Sequence, residues 1–227
     1  FADSQSLVNY HIGNALLSLK DGDTVNCKKS FDNAFLLIGG SIGLSKNIVL
    51  NKVKPEVVML HSLVDMSAIS SKLSDGFAQL RDHLDERVSR SGNDFRACWT
   101  ISSFRKMADG LVGSEPLVMD INETWLKQSK LARKYNRLDL ATTAIMHSAS
   151  LETAASNFEY AKITWAQGDH ARGLRFLEEL RADVKESPLQ PREKSKIQLK
   201  YAKWLDLSNN SNSSKVIEEY NEASILD

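Results

Sequence analysis

"EYAKITWAQGDHARGLRFLEEL", residues Glu159 to Leu180, decides how the rest of the chain is read. Ala154, Phe158, Ala161, Ile163 and Trp165 lead into Gly168-Asp169, and Ala171, Leu174, Phe176, Leu177 and Leu180 follow it. These apolar residues recur at three- and four-residue steps on both sides of the break, which predicts helix, tight turn, helix. Glycine can take the left-handed conformation that ends one helix, and the aspartate after it can accept hydrogen bonds from the amides that begin the next. The break lets the chain reverse so that two apolar faces meet, and each Trp, Phe or Leu buried there contributes roughly 1.5 to 3 kcal/mol.

The same plan recurs outward from this stretch. Trp125, Leu126, Leu131 and Ala132, then Leu138, Ala141, Ala144, Ile145 and Ala149, flank Tyr135-Asn136-Arg137. Placing Asn136 over Gly168 gives an offset of 32, which also aligns Leu131 with Ile163 and Ile145 with Leu177. That spacing is close to the ~34-residue period of tetratricopeptide repeats. A third unit follows Pro188 and Pro191, where "KYAKWLDL" (Lys200 to Leu207) echoes "EYAKITWA" at an offset of 41; the polar run Ser208 to Ser214 then precedes a last helix from Lys215. Near the start, "LVNYHIGNALLSLK" and "SFDNAFLLI" flank Asp21-Gly22-Asp23. Between these lie "GGSIGLSK" (Gly39 to Lys46), read as a glycine-rich elbow, and helices expected over Pro55 to Leu73, Asp75 to Arg90 and Asn93 to Asp109, with Ser74-Asp75 and Gly92-Asn93 as caps. "GLVGSEPLVMD" (Gly110 to Asp120) reads as a loop. The expected fold is all-α, a superhelical solenoid of antiparallel helix hairpins of TPR-like type. One helical-repeat segment spans 1–227, with sub-blocks 1–46, 47–120 and 121–227. Such hairpins bury themselves against their neighbours instead of closing a single core.

Composition agrees. The chain has 227 residues, 11 glycines and 4 prolines, too few turn formers for a sandwich or barrel. Its 29 basic and 29 acidic residues balance, so the whole-chain charge offers no case for nucleic acid or an anionic membrane as a direct partner. No run reaches the ~18 apolar residues of a membrane span. Cys27 and Cys98 lie far apart in no ligand-like spacing, which argues against a disulfide framework or zinc site and fits a reducing compartment. Phe1 in place of an initiating Met, and the apolar stripe Val216, Ile217, Tyr220, Ala223 and Ile225 on the last helix, read as a segment of a longer polypeptide.

Catalytic chemistry finds no foothold. In Gly39 to Lys46 no lysine follows the last glycine directly and no strand precedes it, so it fails as a phosphate loop. No kinase catalytic loop or Asp-Phe-Gly triplet appears. His11, His61, His83, His147 and His170 lack the i, i+4 pairing of a metal helix and read as surface or packing residues. One charged feature stands out: Lys127, Lys130, Lys134 and Arg137, spaced three, four and three apart with Arg133 alongside. This stripe either meets an acidic partner surface or another domain, or is a solvated outer face. Trp125, Phe158, Tyr160, Trp165, Phe176, Tyr201 and Trp204 read as core, with a peptide groove as the alternative.

"ETWLKQSKLARKYNRLDLATTAIMHSAS" (Glu123 to Ser150) and "NFEYAKITWAQGDHARGLRFLEEL" (Asn157 to Leu180) together resemble the FAT domain of phosphatidylinositol-3-kinase-related protein kinases. Leu131-Ala132-Arg133-Lys134 is similar to the ATR branch of DNA-damage checkpoint kinases, shared by fungi and animals. The resemblance implies FAT-type repeats ahead of a serine/threonine kinase domain in a large nuclear protein. It implies ATP and magnesium for that kinase domain, and no cofactor, metal or catalytic residue in this segment. The implied partners are the kinase domain of the same chain and, through the parent, a checkpoint regulatory subunit and activator proteins, with homodimerisation of the parent left open. The alternative is a stand-alone TPR-like adaptor holding a partner peptide.

Overall fold

The computed structural model describes residues 4–43, 50–71, 77–90, 94–112, 115–148, 153–185, 189–208 and 213–226. Among them run eleven helices and no strand: α1 (Ser4–Lys20), α2 (Thr24–Gly43), α3 (Leu50–Ser71), α4 (Phe77–Arg90), α5 (Phe95–Val112), α6 (Glu115–Lys134), α7 (Leu138–Ser148), α8 (Ala154–Ala166), α9 (His170–Lys185), α10 (Pro191–Leu207) and α11 (Ser213–Ile225). The expected all-α architecture of helix hairpins is what the chain adopts. It forms two compact units, Phe1–Thr124 and Trp125–Asp227, with the boundary inside α6.

Three turns share one geometry. Gly22, Asn136 and Gly168 have φ of 75°, 57° and 92°. In each, the amide of the left-handed residue donates to the carbonyl three back: Gly22 to Leu19, Asn136 to Arg133, Gly168 to Trp165. The next amide reaches five back, from Asp23 to Ser18, Arg137 to Ala132 and Asp169 to Thr164. This is the paired closure that satisfies the last carbonyls of a helix. Asp23 and Asp169 then cap the following helix, accepting from the amides of Asn26 (3.0 Å) and Arg172 (3.2 Å). Asn136 standing over Gly168 is therefore a structural equivalence, asparagine being a side chain that tolerates the left-handed region.

In the first unit, Val8, Ile12, Ala15 and Leu19 of α1 and Cys27, Phe31, Ala34 and Ile38 of α2 are buried at identical four-three-four spacings, and the two helices face each other. Leu63, Met66 and Ile69 of α3, Leu84 of α4 and Ala108 of α5 complete this core. A buried charged layer lies beside it. Arg105 meets Asp85 at 2.9 Å and Asp109 at 3.9 Å, while Arg87 lies 3.3 Å from Asp65.

In the second unit each helix from α7 to α11 packs on the next. The core is Ala161 of α8, Leu177, Leu180 and Val184 of α9, Ile197, Tyr201, Trp204 and Leu205 of α10, and Val216 of α11. Buried Gly173 brings α9 against α8 so closely that a Cβ there would stand 3.2 Å from the Trp165 amide nitrogen.

Three expected boundaries are corrected. Of the elbow expected over Gly39 to Lys46, Gly39 to Gly43 is helical, because Ile38 is buried and Ile42 packs on the same core, holding α2 through glycines that each cost about 1 kcal/mol relative to alanine; 44–46 lie outside the described residues. Within the loop expected over Gly110 to Asp120, the described residues 110–112 and 115–120 are helical, since Leu111 and Val112 pack on the first core and α6 begins at Glu115 with Pro116 in its first turn, where a missing amide is tolerated; 113–114 lie outside the described residues. Pro55 lies inside α3 and does not open it. Ser74-Asp75, Gly92-Asn93 and Pro188 lie outside the described residues; Asp94 caps α5, accepting from the Ala97 amide at 3.1 Å.

Candidate functional site

The basic stripe is built on α6. Its inward face carries Gln128, Ser129 and Ala132, all buried, with the Ser129 hydroxyl donating to the Ala141 carbonyl of α7 at 3.1 Å. Lys127, Lys130 and Lys134, three and four residues apart, consequently share another face, on which Lys127 and Lys134 are exposed and Lys130 is half-buried. Arg137 does not continue the row. It follows the left-handed Asn136 at the cap of α7, exposed, with Nε 4.0 Å from Asp139 Oδ1.

Arg133 points elsewhere. Its Nε donates to Glu159 Oε1 at 2.6 Å, and Lys162 Nζ lies 2.6 Å from Glu159 Oε2. Glu159 is fully buried on α8, one turn from buried Ser156 and Ile163. Burial alone would raise its carboxyl, but the Arg133 hydrogen bond and the Lys162 charge outweigh that and hold it below its ordinary value. Burial pushes Lys162 down, opposed by Glu159 and reinforced by the positive charges of Arg133 and Lys130. Lys200 of α10 is lowered by burial, then by Lys203 and Arg133.

Beside this triad opens a groove of about 300 Å³. Phe158, Leu189 and Ile197 form its apolar wall, and Lys130, Lys162 and Lys196 stand around it with Glu193 as the acidic exception. Lys162 Nζ sits 4.2 Å above the Phe158 ring. Sequence reasoning had Lys130 and Phe158 but missed Glu159, Lys162 and Lys196. The available signal was an acidic residue at a core-facing position of α8, with a lysine three residues on.

The aromatic residues mostly pack. Tyr201 and Trp204 are buried, and half-buried Trp165 stacks on Trp204 at 4.3 Å with planes 7° apart, and on His170 at 4.4 Å. Trp125 stacks on His147 at 4.6 Å, and Tyr160 meets Phe176 edge-on at 5.2 Å. Of the set, Phe158 alone lines the groove beside Lys130.

Gly39, Gly40 and Gly43 end a helix, not a strand-to-helix phosphate turn, and no group of three His, Cys, Asp or Glu among the described residues is placed to hold a metal ion. Cys27 and Cys98 are buried thiols outside any disulfide, and burial pushes both up. Among the described residues no helix is long and apolar enough to cross a membrane.

Residues 10–226 match the FAT domain. The chain belongs to the FAT domain family. It is similar to proteins named serine/threonine-protein kinase MEC1: 30% identical over 228 residues to that of Kluyveromyces lactis, 31% over 228 to that of Eremothecium gossypii and 33% over 224 to that of Candida albicans. These alignments cover 98%, 99% and 97% of this chain but only 10%, 10% and 9% of the relatives, so the FAT domain chain spans about one-tenth of their length. The resemblance carried by Glu123 to Leu180 is borne out across nearly the whole chain.

Proposed function

We propose that this FAT domain serves a serine/threonine kinase of the DNA-damage and replication checkpoint, packing against and positioning a kinase domain carried by the same polypeptide. The observation that carries this reading is the family match over residues 10–226 together with relatives that are named protein kinases. Lys127, Lys130, Lys134 and Arg137 are the contact surface in this proposal. The α6–α7 turn and the Arg133–Glu159 pair hold α6 against α7 and α8, so a push on the stripe is passed to the hairpin as a body. The kinase is biased toward its active or inactive arrangement to the extent that the stripe makes different contacts in the two. ATP and magnesium belong to the kinase domain, the setting is nuclear, and a checkpoint regulatory subunit and activator proteins act through the parent, with homodimerisation as a further property of the parent.

The test is the size of the native polypeptide, read by immunoblot with an antibody raised to Glu123 to Leu180. A band near ten times the 25.4 kDa of this chain is expected. A band near 25.4 kDa itself would overturn the proposal and leave a free adaptor. In the large protein, Lys127→Glu/Lys130→Glu/Lys134→Glu should alter kinase activity without unfolding the domain, and unchanged activity would return the stripe to solvated surface.

A further inference from the structure

The groove bounded by α6, α8 and α10 combines two features seldom found together on a solvated face. Its wall is apolar, through Phe158, Leu189 and Ile197, and its rim is cationic, through Lys130, Lys162 and Lys196. Glu159 is one carboxylate set against Arg133 and Lys162, and Glu193 is one carboxylate beside Lys130 and Lys196, which leaves the groove two positive charges in surplus. Lys130 and Lys196 form no ion pair among the described residues.

We propose that this groove binds an acidic peptide segment that inserts a large apolar side chain between Phe158, Leu189 and Ile197 while its flanking carboxylates meet Lys130 and Lys196. At about 300 Å³ the space suits one or two side chains of a peptide and stands at the lower bound of small-molecule sites. A polyphosphate would satisfy the lysines but leave phosphate oxygens against the Phe158 and Leu189 surfaces, where they find no donor; the peptide satisfies both parts. Charge attraction steers the encounter, and apolar insertion holds the complex. The inference stands on the groove itself and does not depend on attachment to a kinase domain.

The experiment is a fluorescence-anisotropy titration of the full 227-residue chain with a labelled peptide of Asp and Glu flanking one Leu and one Phe. Saturable binding that weakens with added salt is expected. Lys130→Glu/Lys196→Glu should weaken it about tenfold or more, whereas Lys127→Glu/Lys134→Glu, on the same helix as Lys130 but off the groove, should change it by less than about twofold. Circular dichroism checks that both variants remain folded, as expected for residues that are not part of the core. Absence of saturable binding, or equal loss in the two variants, overturns the proposal. So does equally tight binding of a peptide with Ser in place of Leu and Phe, or of inorganic polyphosphate.

Discussion

Asp65 offers the sharpest test of the charged layer in the first unit. It is fully buried on α3, and neither carboxylate oxygen accepts a hydrogen bond among the described residues. Arg87 Nε lies 3.3 Å away, and Arg105 acts at longer range while engaged with Asp85 and Asp109. His61, one turn earlier, adds no compensating charge, because burial and then Arg87 push it toward the neutral form. Desolvation therefore wins over the two arginines, and the Asp65 carboxyl is pushed up from 3.8 to about 6. The folded state holds the proton more tightly than the unfolded chain. The resulting stability is fully present below pH 3.8 and is lost as pH rises through about 6. A shift of about two units corresponds to about 3 kcal/mol.

Asp65→Asn keeps the shape and removes the charge. Measured by urea denaturation with circular dichroism, the variant should be more stable than the wild type by up to about 3 kcal/mol at about pH 8 and nearly equal to it at about pH 4. Lys106 complicates the wild-type profile alone. Burial lowers it to about 7, so its cost is present below that pH and relieved above it, opposite in sign to Asp65. Comparing variant and wild type at each pH cancels that contribution. The reasoning is refuted if Asp65→Asn destabilises at about pH 8, since the Arg87 contact would then be a net-favourable ion pair worth more than the desolvation it offsets.

Three further outcomes follow from the packing. Trp165→Ala removes the stack on Trp204 and His170 and should destabilise the second unit by about 3 kcal/mol, the low end for a large aromatic because the indole is half-exposed; an unchanged urea midpoint would remove it from the packing. Glu159→Gln strands Arg133 and Lys162 and should cost about 3 kcal/mol at neutral pH. Because the Glu159 carboxyl is held low in the fold, its contribution is present above the unfolded value and lost as pH falls through the folded one, so the gap between variant and wild type should close in acid. Gly168→Ala should cost about 1 to 2 kcal/mol at its left-handed φ, whereas Asn136→Gly should be neutral or stabilising by a few tenths; similar destabilisation by both would contradict the shared turn geometry.

The hairpins were legible because two signals agreed: apolar spacing, as in the four-three-four rows of α1 and α2, and a left-handed residue where the spacing broke. Glycine misled where it stood alone as evidence. At Gly39, Gly40 and Gly110 the composition suggested a loop, but Ile42, Leu111 and Val112 beyond them pack on the core and carry the helix through. Propensity loses there to burial, as expected when each glycine costs about 1 kcal/mol and each buried aliphatic returns more. The site was half legible for a related reason. Periodicity reasoning assigns charge to the outside, so it grouped Lys127, Lys130, Lys134 and Arg137 by spacing. A row counted in residues holds only while the helix lasts, and α6 ends at Lys134, which detaches Arg137. The same reasoning passed over Glu159, a charge placed on a core face where its cost is met by Arg133 from another helix together with Lys162 one turn on. Such a residue departs from the pattern of its own helix, and its partner lies 26 residues away in sequence. An apolar-face position filled by an acid is thus the mark to look for elsewhere in the chain, and Asp65, between buried Leu63 and Met66, meets it.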